Sequence, residues 1–279
     1  MTKKLILLWI LISGSLCAQQ RPEPFQDASM WRHFTYDMGS VFKGIGYSYS
    51  RPLHWGGSQW ATFGGVVAAT GTAYIFDTQV SDYFVGIKDD IPPFIQEYGR
   101  VYGGPVGNAI LSGAVYSTGL LTKNPKLRRT GVLMLSSASS AALLQTFLKG
   151  FVGRARPLAE KGKDTFKPLW QGDGQFHSFP SGHTVMAATT AYALSKQFRS
   201  PWIKAGIYAV GMVPGVSRLW DGKHWLSDVV FSWALSIFTV EAIDRYLDSR
   251  YSEKYNQGEK SLSWNLQFGP GTVGVLLEF

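Results

Sequence analysis

Residues 217–240 read SRLWDGKHWLSDVVFSWALSIFTV. The first half sets Arg218, His224 and Asp228 at fixed intervals, and the second half is apolar, interrupted only by Ser and Thr. Its length and composition predict a buried helix with its polar chemistry concentrated at one end. His224 and Asp228 are four apart, so on a helix they share a face. The carboxylate can then accept from one imidazole nitrogen and leave the other free.

Working outward, stretches of helical length recur at roughly 60–76, 104–122, 131–149, 183–198, 202–216 and 226–246. This pattern predicts an all-α fold, a bundle of about six apolar helices. Each stretch is broken by Gly, Ser, Thr or Ala, and few reach the roughly 20 residues that span a bilayer. Small residues allow close helix approach in membranes and in tight soluble bundles alike, so the pattern leaves insertion open. The tail 261–279 alternates apolar and polar residues around Gly269-Pro270-Gly271 and predicts a β-hairpin.

The chain has 279 residues, 45% hydrophobic and only 16% charged. Its mean hydropathy is −0.02, between a soluble helical protein and a small membrane protein. The net charge of +8 suits an anionic surface or a phosphate-bearing substrate. It comes without zinc-finger spacing or a dense basic helix, which argues against a nucleic-acid partner. At the N-terminus, Lys3 and Lys4 precede an apolar run from Leu5 to Ile12, then small residues, the pattern of a signal peptide over 1–18 cut after Ala18. Cys17 is the single cysteine, so the mature chain would have neither disulfides nor thiol catalysis. Residues 19–58 read as a polar, aromatic, irregular exported extension, 59–248 as the main domain and 249–279 as a tail carrying the hairpin. His33 and His54 read as surface residues.

Two loops are strongly basic, 122–131 and 195–204. If the flanking helices span, the positive-inside rule puts both loops in the cytoplasm and the segments 150–182 and 217–225 in the periplasm. Counting spans back from 131 starts the 60–76 helix in the cytoplasm, whereas a cleaved signal starts it in the periplasm. Either the bundle does not fully insert, or one stretch does not cross, or the N-terminal signal is something else.

Chemistry concentrates in three segments: LKGFVGRARP (148–157), SFPSGHT (178–184) and the opening one. All three fall at the ends of apolar stretches opposite the basic loops, so they can converge. The pocket they would build holds Lys149, Arg156 and Arg218 as cations, Ser181 and backbone amides at a helix N-terminus as donors, and His183 and His224. Cations and oriented donors suit a tetrahedral oxyanion, and two histidines suit a nucleophile and a general acid. Arg154, two residues from Arg156, reads as a rim cation, and His177 as a loop residue near the mouth.

The three segments resemble the signature of the type 2 phosphatidic acid phosphatase (PAP2) superfamily. Lys149 and Arg156-Pro157 are separated by six residues, Pro180-Ser181-Gly182-His183 is complete, and Ser217-Arg218 leads at the right spacing to His224 and Asp228. Over roughly 60–246, the resemblance implies a metal-independent phosphatase without a cofactor. His224 would attack phosphorus and form a phospho-histidine. Asp228 would hold its other ring nitrogen. His183 would protonate the leaving oxygen, and Lys149, Arg156, Ser181, Gly182 and Arg218 would bind the phosphoryl oxygens. The implied substrate is a phosphorylated lipid (phosphatidate, phosphatidylglycerol phosphate, undecaprenyl diphosphate or a lipid A phosphate) with the site facing the periplasm and membrane contact. The alternatives are a soluble periplasmic acid phosphatase acting on small phosphoesters, a vanadate-dependent haloperoxidase, which shares this pocket, and a non-enzymatic envelope binding protein.

Overall fold

The structure, a computed structural model, describes residues 29–169, 172, 174–255, 263–269 and 272–278. The signal peptide expected over 1–18 lies outside them. Among the described residues, nine α-helices run in chain order: α1 Met30–Ser50, α2 Gly57–Ile75, α3 Asp77–Gly86, α4 Pro93–Tyr102, α5 Pro105–Leu121, α6 Pro125–Val152, α7 Gly182–Ser195, α8 Pro201–Trp220 and α9 Leu226–Tyr255. The six expected stretches are α2, α5, α6, α7, α8 and α9. Strands β1 Ser263–Gly269 and β2 Thr272–Glu278 pair antiparallel, from Ser263 opposite Glu278 to Gly269 opposite Thr272.

Helix starts follow local chemistry. Pro stands in the first turn of α4, α5, α6 and α8, where its missing N–H costs nothing. The Asn124 side chain caps α6 by accepting from Leu127 N at 3.1 Å. α6 ends at Gly153, left-handed with φ 59°, where a side chain would collide with the Lys167 carbonyl.

Residues 30–50, expected to be irregular, form α1. It is capped by Ser29 and buries His33, Asp37, Ser40, Val41 and Gly44 on one stripe. That stripe has helical period but is mostly polar and small, so apolar periodicity does not reveal it. His33, expected at the surface, is 3% exposed, because its ring falls on this stripe. α1 runs parallel to α6. Asp37 pairs with Arg128 at 2.9 Å near the start of α6, and Ser48 Oγ meets Ser140 Oγ at 2.8 Å halfway along. α2 continues in the same sense. Trp55, just before it, packs on Phe238 midway along α9, and Asp77, just after it, meets Ser227 at the start of α9. α1 and α2 therefore climb the bundle in two steps. The 60–76 stretch is not a crossing in its own right, which removes the premise of the span count.

The apolar centre is built by Val132, Leu133 and Met134 of α6, Ala193 of α7 and Val240, Ile243 and Leu247 of α9. Around it the interior is unusually rich in hydroxyls. Ser136, Ser137, Ser140, Thr189, Thr190, Ser232 and Ser236 are all buried, and several bond back to the preceding turn, as Thr189 does to the Val185 carbonyl at 2.8 Å. The exterior is the reverse. Val106 and Ile110 of α5, Leu143, Phe147 and Phe151 of α6 and Trp202 of α8 are all more than half exposed. Among the described residues, two helices, α6 and α9, are long and apolar enough to cross a membrane.

The basic loops meet at one end. There Arg129, Lys196 and Lys204 line a polar cavity of about 420 Å³ with Tyr192, Tyr208, Asp244 and Asp248. Arg129 pairs with Asp244 at 2.8 Å, and Lys196 with Glu241 at 2.5 Å. Arg129 and Lys149 stand twenty residues apart on α6, about 30 Å along a helix. The three chemical segments gather at the Lys149 end.

Candidate active site

The first segment reaches the site by doubling back. Past Gly153 the chain is extended, with Ala155 N donating to Thr165 O at 2.9 Å, Arg156 N to Gln175 O at 2.8 Å and Ser178 N to Arg154 O at 3.0 Å. These bonds lay 154–156 beside 175–178 and bring Arg156 back toward Lys149. The second segment opens α7. The N–H groups of its first turn have no intrahelical partner, so this end favours an anion. Lys149 lies against it: a Cβ placed on Gly182 would sit 3.6 Å from Lys149 Nζ. The third segment folds back at the end of α8. Gly222 takes φ 59°, and Lys223 N and His224 N both donate to Arg218 O, at 3.0 and 3.3 Å. His224 is thereby held close to Arg218. Leu158 N donates to Gly222 O at 3.0 Å and Trp225 Nε1 to Ala155 O at 2.8 Å, tying the third segment to the first.

His224 is 3% exposed. Its Nδ1 lies 2.5 Å from the Ser178 carbonyl and 3.7 Å from Asp228 Oδ2. A carbonyl only accepts, so Nδ1 carries the proton and Nε2 keeps a free lone pair. This corrects the expected direct bond from Nδ1 to Asp228. The i, i+4 argument needs both residues on one helix, but α9 begins at Leu226, after His224. Asp228 acts instead at ion-pair distance. Its own oxygens accept from Ser178 Oγ at 2.5 Å, Trp225 N at 2.8 Å and Arg154 Nη1 at 2.7 Å.

Of the three expected cations, Arg218 is 2% exposed; its Nε donates to Ser217 Oγ at 3.0 Å and its Nη2 lies 3.1 Å from Asp221. Asp221 in turn pairs with Lys88, between α3 and α4, at 3.0 Å. Among the described residues, Arg156 Nε is buried without a hydrogen-bond partner, a donor able to serve a bound anion. Ser181 is fully buried, its N–H given to Ser232 Oγ at 2.8 Å and its Oγ accepting from Thr184 at 2.8 Å. It braces the turn, and its own hydroxyl proton remains available.

Burial and the neighbouring Arg218, His224, Lys223 and Lys149 push His183 down to about 3 from an ordinary 6.5. Burial likewise takes His224 down to about 4, opposed by Asp228 and reinforced by Lys149 and Arg156. Both imidazoles are therefore neutral at pH 7 in a pocket of positive charge.

The structure brings all eight expected residues together and adds others. Arg154, read as a rim cation, is 2% exposed and spans Asp77 and Asp228, each at 2.7 Å. Its backbone is anchored beside the site by Ser178 N, which donates to its carbonyl at 3.0 Å. Ser178 belongs to a segment the sequence singles out, but its role depends on its carbonyl, which composition does not reveal. Asp77 has a faint signal: residues 52–76 contain no Asp, Glu, Lys or Arg, and Asp77 ends that run. His177 is half-buried beside the site segment, and His54 is exposed as expected.

A family model for the PAP2 superfamily matches residues 130–250. That match takes in His183, Arg218, His224 and Asp228 and agrees with the resemblance read from the sequence. Over 86 residues it is 35% identical to the lipid A 1-phosphatase of Porphyromonas gingivalis, covering 30% of this chain and 19% of that protein. Over 105 residues it is 35% identical to the lipid A 1-phosphatase of Rhizobium etli, covering 36% and 43%. The chain thus spans less than half the length of these curated relatives. The crystal structure of a transmembrane PAP2 type phosphatidylglycerolphosphate phosphatase from Bacillus subtilis superposes with a TM-score of 0.47 at 22% identity, over 77% of this chain and 97% of that one.

Proposed function

We propose that this protein is a lipid phosphatase that hydrolyses a phosphomonoester or diphosphate through a phospho-histidine on His224. The observation that carries the reading is the ring of Lys149, Arg156 and Arg218 around the open end of α7, with neutral His224 presenting Nε2 and neutral His183 beside it. A phosphate brought there meets the buried Arg156 Nε and the first-turn N–H groups of α7. Its equatorial oxygens carry the developing charge, so this clamp stabilises the transition state. Nε2 attacks phosphorus in line as the P–O bond to the lipid breaks, and the proton on Nδ1 stays bonded to the Ser178 carbonyl. Asp228 offsets the resulting positive charge on the ring.

His183 must give the leaving oxygen a proton, yet it is neutral in the empty pocket. A bound phosphate dianion offsets the cations that hold its pKa down, so the substrate itself raises His183 toward the protonated form. After the alcohol leaves, the neutral imidazole takes a proton from water, which attacks the phospho-histidine.

The apolar exterior and hydroxyl-rich interior support an integral membrane protein. The cavity end, where the basic loops meet, would face the cytoplasm and the site the periplasm. Lipid A 1-phosphate, the bond named for the two curated relatives, is then a leading candidate among lipid headgroups. The test is phosphate release from lipid A, phosphatidate, phosphatidylglycerol phosphate, undecaprenyl diphosphate and soluble phosphoesters, with EDTA present throughout. Release from a lipid by wild type, lost in His224→Ala, is expected. Release from soluble esters alone, or full activity in His224→Ala, overturns the reading.

A further inference from the structure

We infer that Arg154 and Asp77 are positioning residues for the reaction, a buried charge chain that holds Asp228 and leaves one net negative charge behind His224. The inference rests on the reading of His224 as nucleophile. Arg154 has no side directed at substrate. Its Nε donates to Lys163 O at 3.2 Å, its Nη1 to Asp228 Oδ1 at 2.7 Å and Ser227 Oγ at 2.8 Å, and its Nη2 to Asp77 Oδ2 at 2.7 Å. Its guanidinium lies 4.7 Å from the Tyr74 ring centroid and 5.4 Å from that of Trp225. These aromatic faces seal it against anything else. Asp77, fully buried, is fixed from a second direction by Ser227 N at 2.9 Å and Ser227 Oγ at 2.7 Å.

The charge count gives this chain its function. Arg154 and Asp228 alone would cancel, and an imidazolium or phosphoimidazolium on His224 would face no net countercharge in a pocket already holding Lys149, Arg156 and Arg218. Asp77 changes the sum. Asp77, Arg154 and Asp228 together carry one negative charge, and its nearest point to the ring is Asp228 Oδ2, 3.7 Å from Nδ1. Buried charges are screened less than exposed ones, so this one acts on the ring more strongly than a solvated charge at the same distance. Arg154 also fixes which way the carboxylate points, since its guanidinium holds Oδ1 while Ser178 and Trp225 hold Oδ2. Asp77 sits at the α2–α3 corner, outside the 130–250 span that matches the family. A segment beyond the signature therefore completes the site.

The experiment compares wild type, Asp77→Asn, Asp77→Glu, Arg154→Gln and His224→Ala, each purified full-length in detergent. Turnover of dioctanoyl phosphatidate and p-nitrophenyl phosphate and inhibition by inorganic phosphate are measured per folded molecule, folding being scored by size exclusion and melting. Asp77→Asn and Arg154→Gln should lower kcat at least about tenfold with KM and phosphate inhibition within about twofold. Asp77→Glu, which restores the charge, should recover part of the loss. A phosphate-binding role would move KM, and a purely structural one would lower the folded fraction at constant kcat; either result overturns the inference. If Arg154→Gln does not fold, the Asp77→Asn and Asp77→Glu pair decides it. His224→Ala inactive with Asp77→Asn at wild-type kcat overturns this inference alone. His224→Ala active overturns the reading of the site and this inference with it.

Discussion

Acidifying the free enzyme should destabilise it through His224, by an amount the structure sets. His224 is buried and sits at about 4 when folded, against 6.5 for an ordinary histidine. Its folded value is depressed, so the unfolded chain takes up the proton first. The stability this neutral ring contributes is complete above pH 6.5 and shrinks as pH falls, until the folded ring also protonates near 4. Between pH 7 and pH 5, linkage puts the loss from this one residue at about 2 kcal/mol. For a protein of this size, that is about 4–8 °C in melting temperature. Melting in detergent at both pH values, on wild type and His224→Gln, isolates the contribution because glutamine does not titrate. Wild type should lose about 4–8 °C more than the variant. Curves that fall in parallel would refute the buried neutral imidazole, and with it the nucleophilic lone pair at Nε2.

Arg156→Gln should raise KM about 10- to 100-fold, the worth of a charge-assisted bond to phosphate; initial rates in mixed micelles read this out, and an unchanged KM would remove Arg156 from the clamp. Arg128→Met strands Asp37, which is fully buried, and should cost about 3–5 kcal/mol of stability with little change in kcat per folded molecule. Urea titration followed by activity at low urea tests both halves of that statement. Carbonate washing of cell envelopes should leave the protein in the pellet, and its release into the supernatant would count against insertion.

The sequence makes the chemistry far more legible than the architecture around it. Lys149, Arg156, His183, Arg218 and His224 are legible because they fall in three short segments that together resemble the PAP2 signature, each beside an apolar stretch that betrays its helix. α1 escapes because hydropathy periodicity detects apolar stripes, and its buried stripe contains His33, Asp37 and Ser40. The bond to Nδ1 escapes for a different reason. The four-residue spacing of His224 and Asp228 implies a shared helical face, but whether the helix includes both depends on where it starts, and Trp225 N bonded to Asp228 Oδ2 starts it too late. Arg154 and Arg156 show the limit of reading charge from sequence. Two residues apart in one extended segment, one is committed to Asp77 and Asp228 while the other keeps a free buried donor.

The inverted distribution of polarity bears on catalysis as well as on location. Leu143, Phe147 and Phe151 are exposed toward the site end of α6, while Ser136, Ser137 and Ser140 are buried nearer its middle, a distribution that water disfavours. In a bilayer the same distribution is the stable one, because lipid covers the apolar face and the hydroxyls bond within the bundle. Arg129 and Lys149 then bound an uncharged stretch of α6 about 30 Å long, which equals the hydrocarbon thickness. On the proposed insertion, Lys149 would fall at the hydrocarbon boundary, next to the layer where a lipid's phosphate lies. Arg156, Arg218 and the first turn of α7 share that depth because Gly153 and Gly222 turn their segments back at the helix ends. On the proposed function, the clamp would need no movement of the phosphate out of the headgroup layer. A soluble phosphoester would have to reach it without a bilayer's help, which is why turnover of a lipid should exceed that of its water-soluble headgroup analogue.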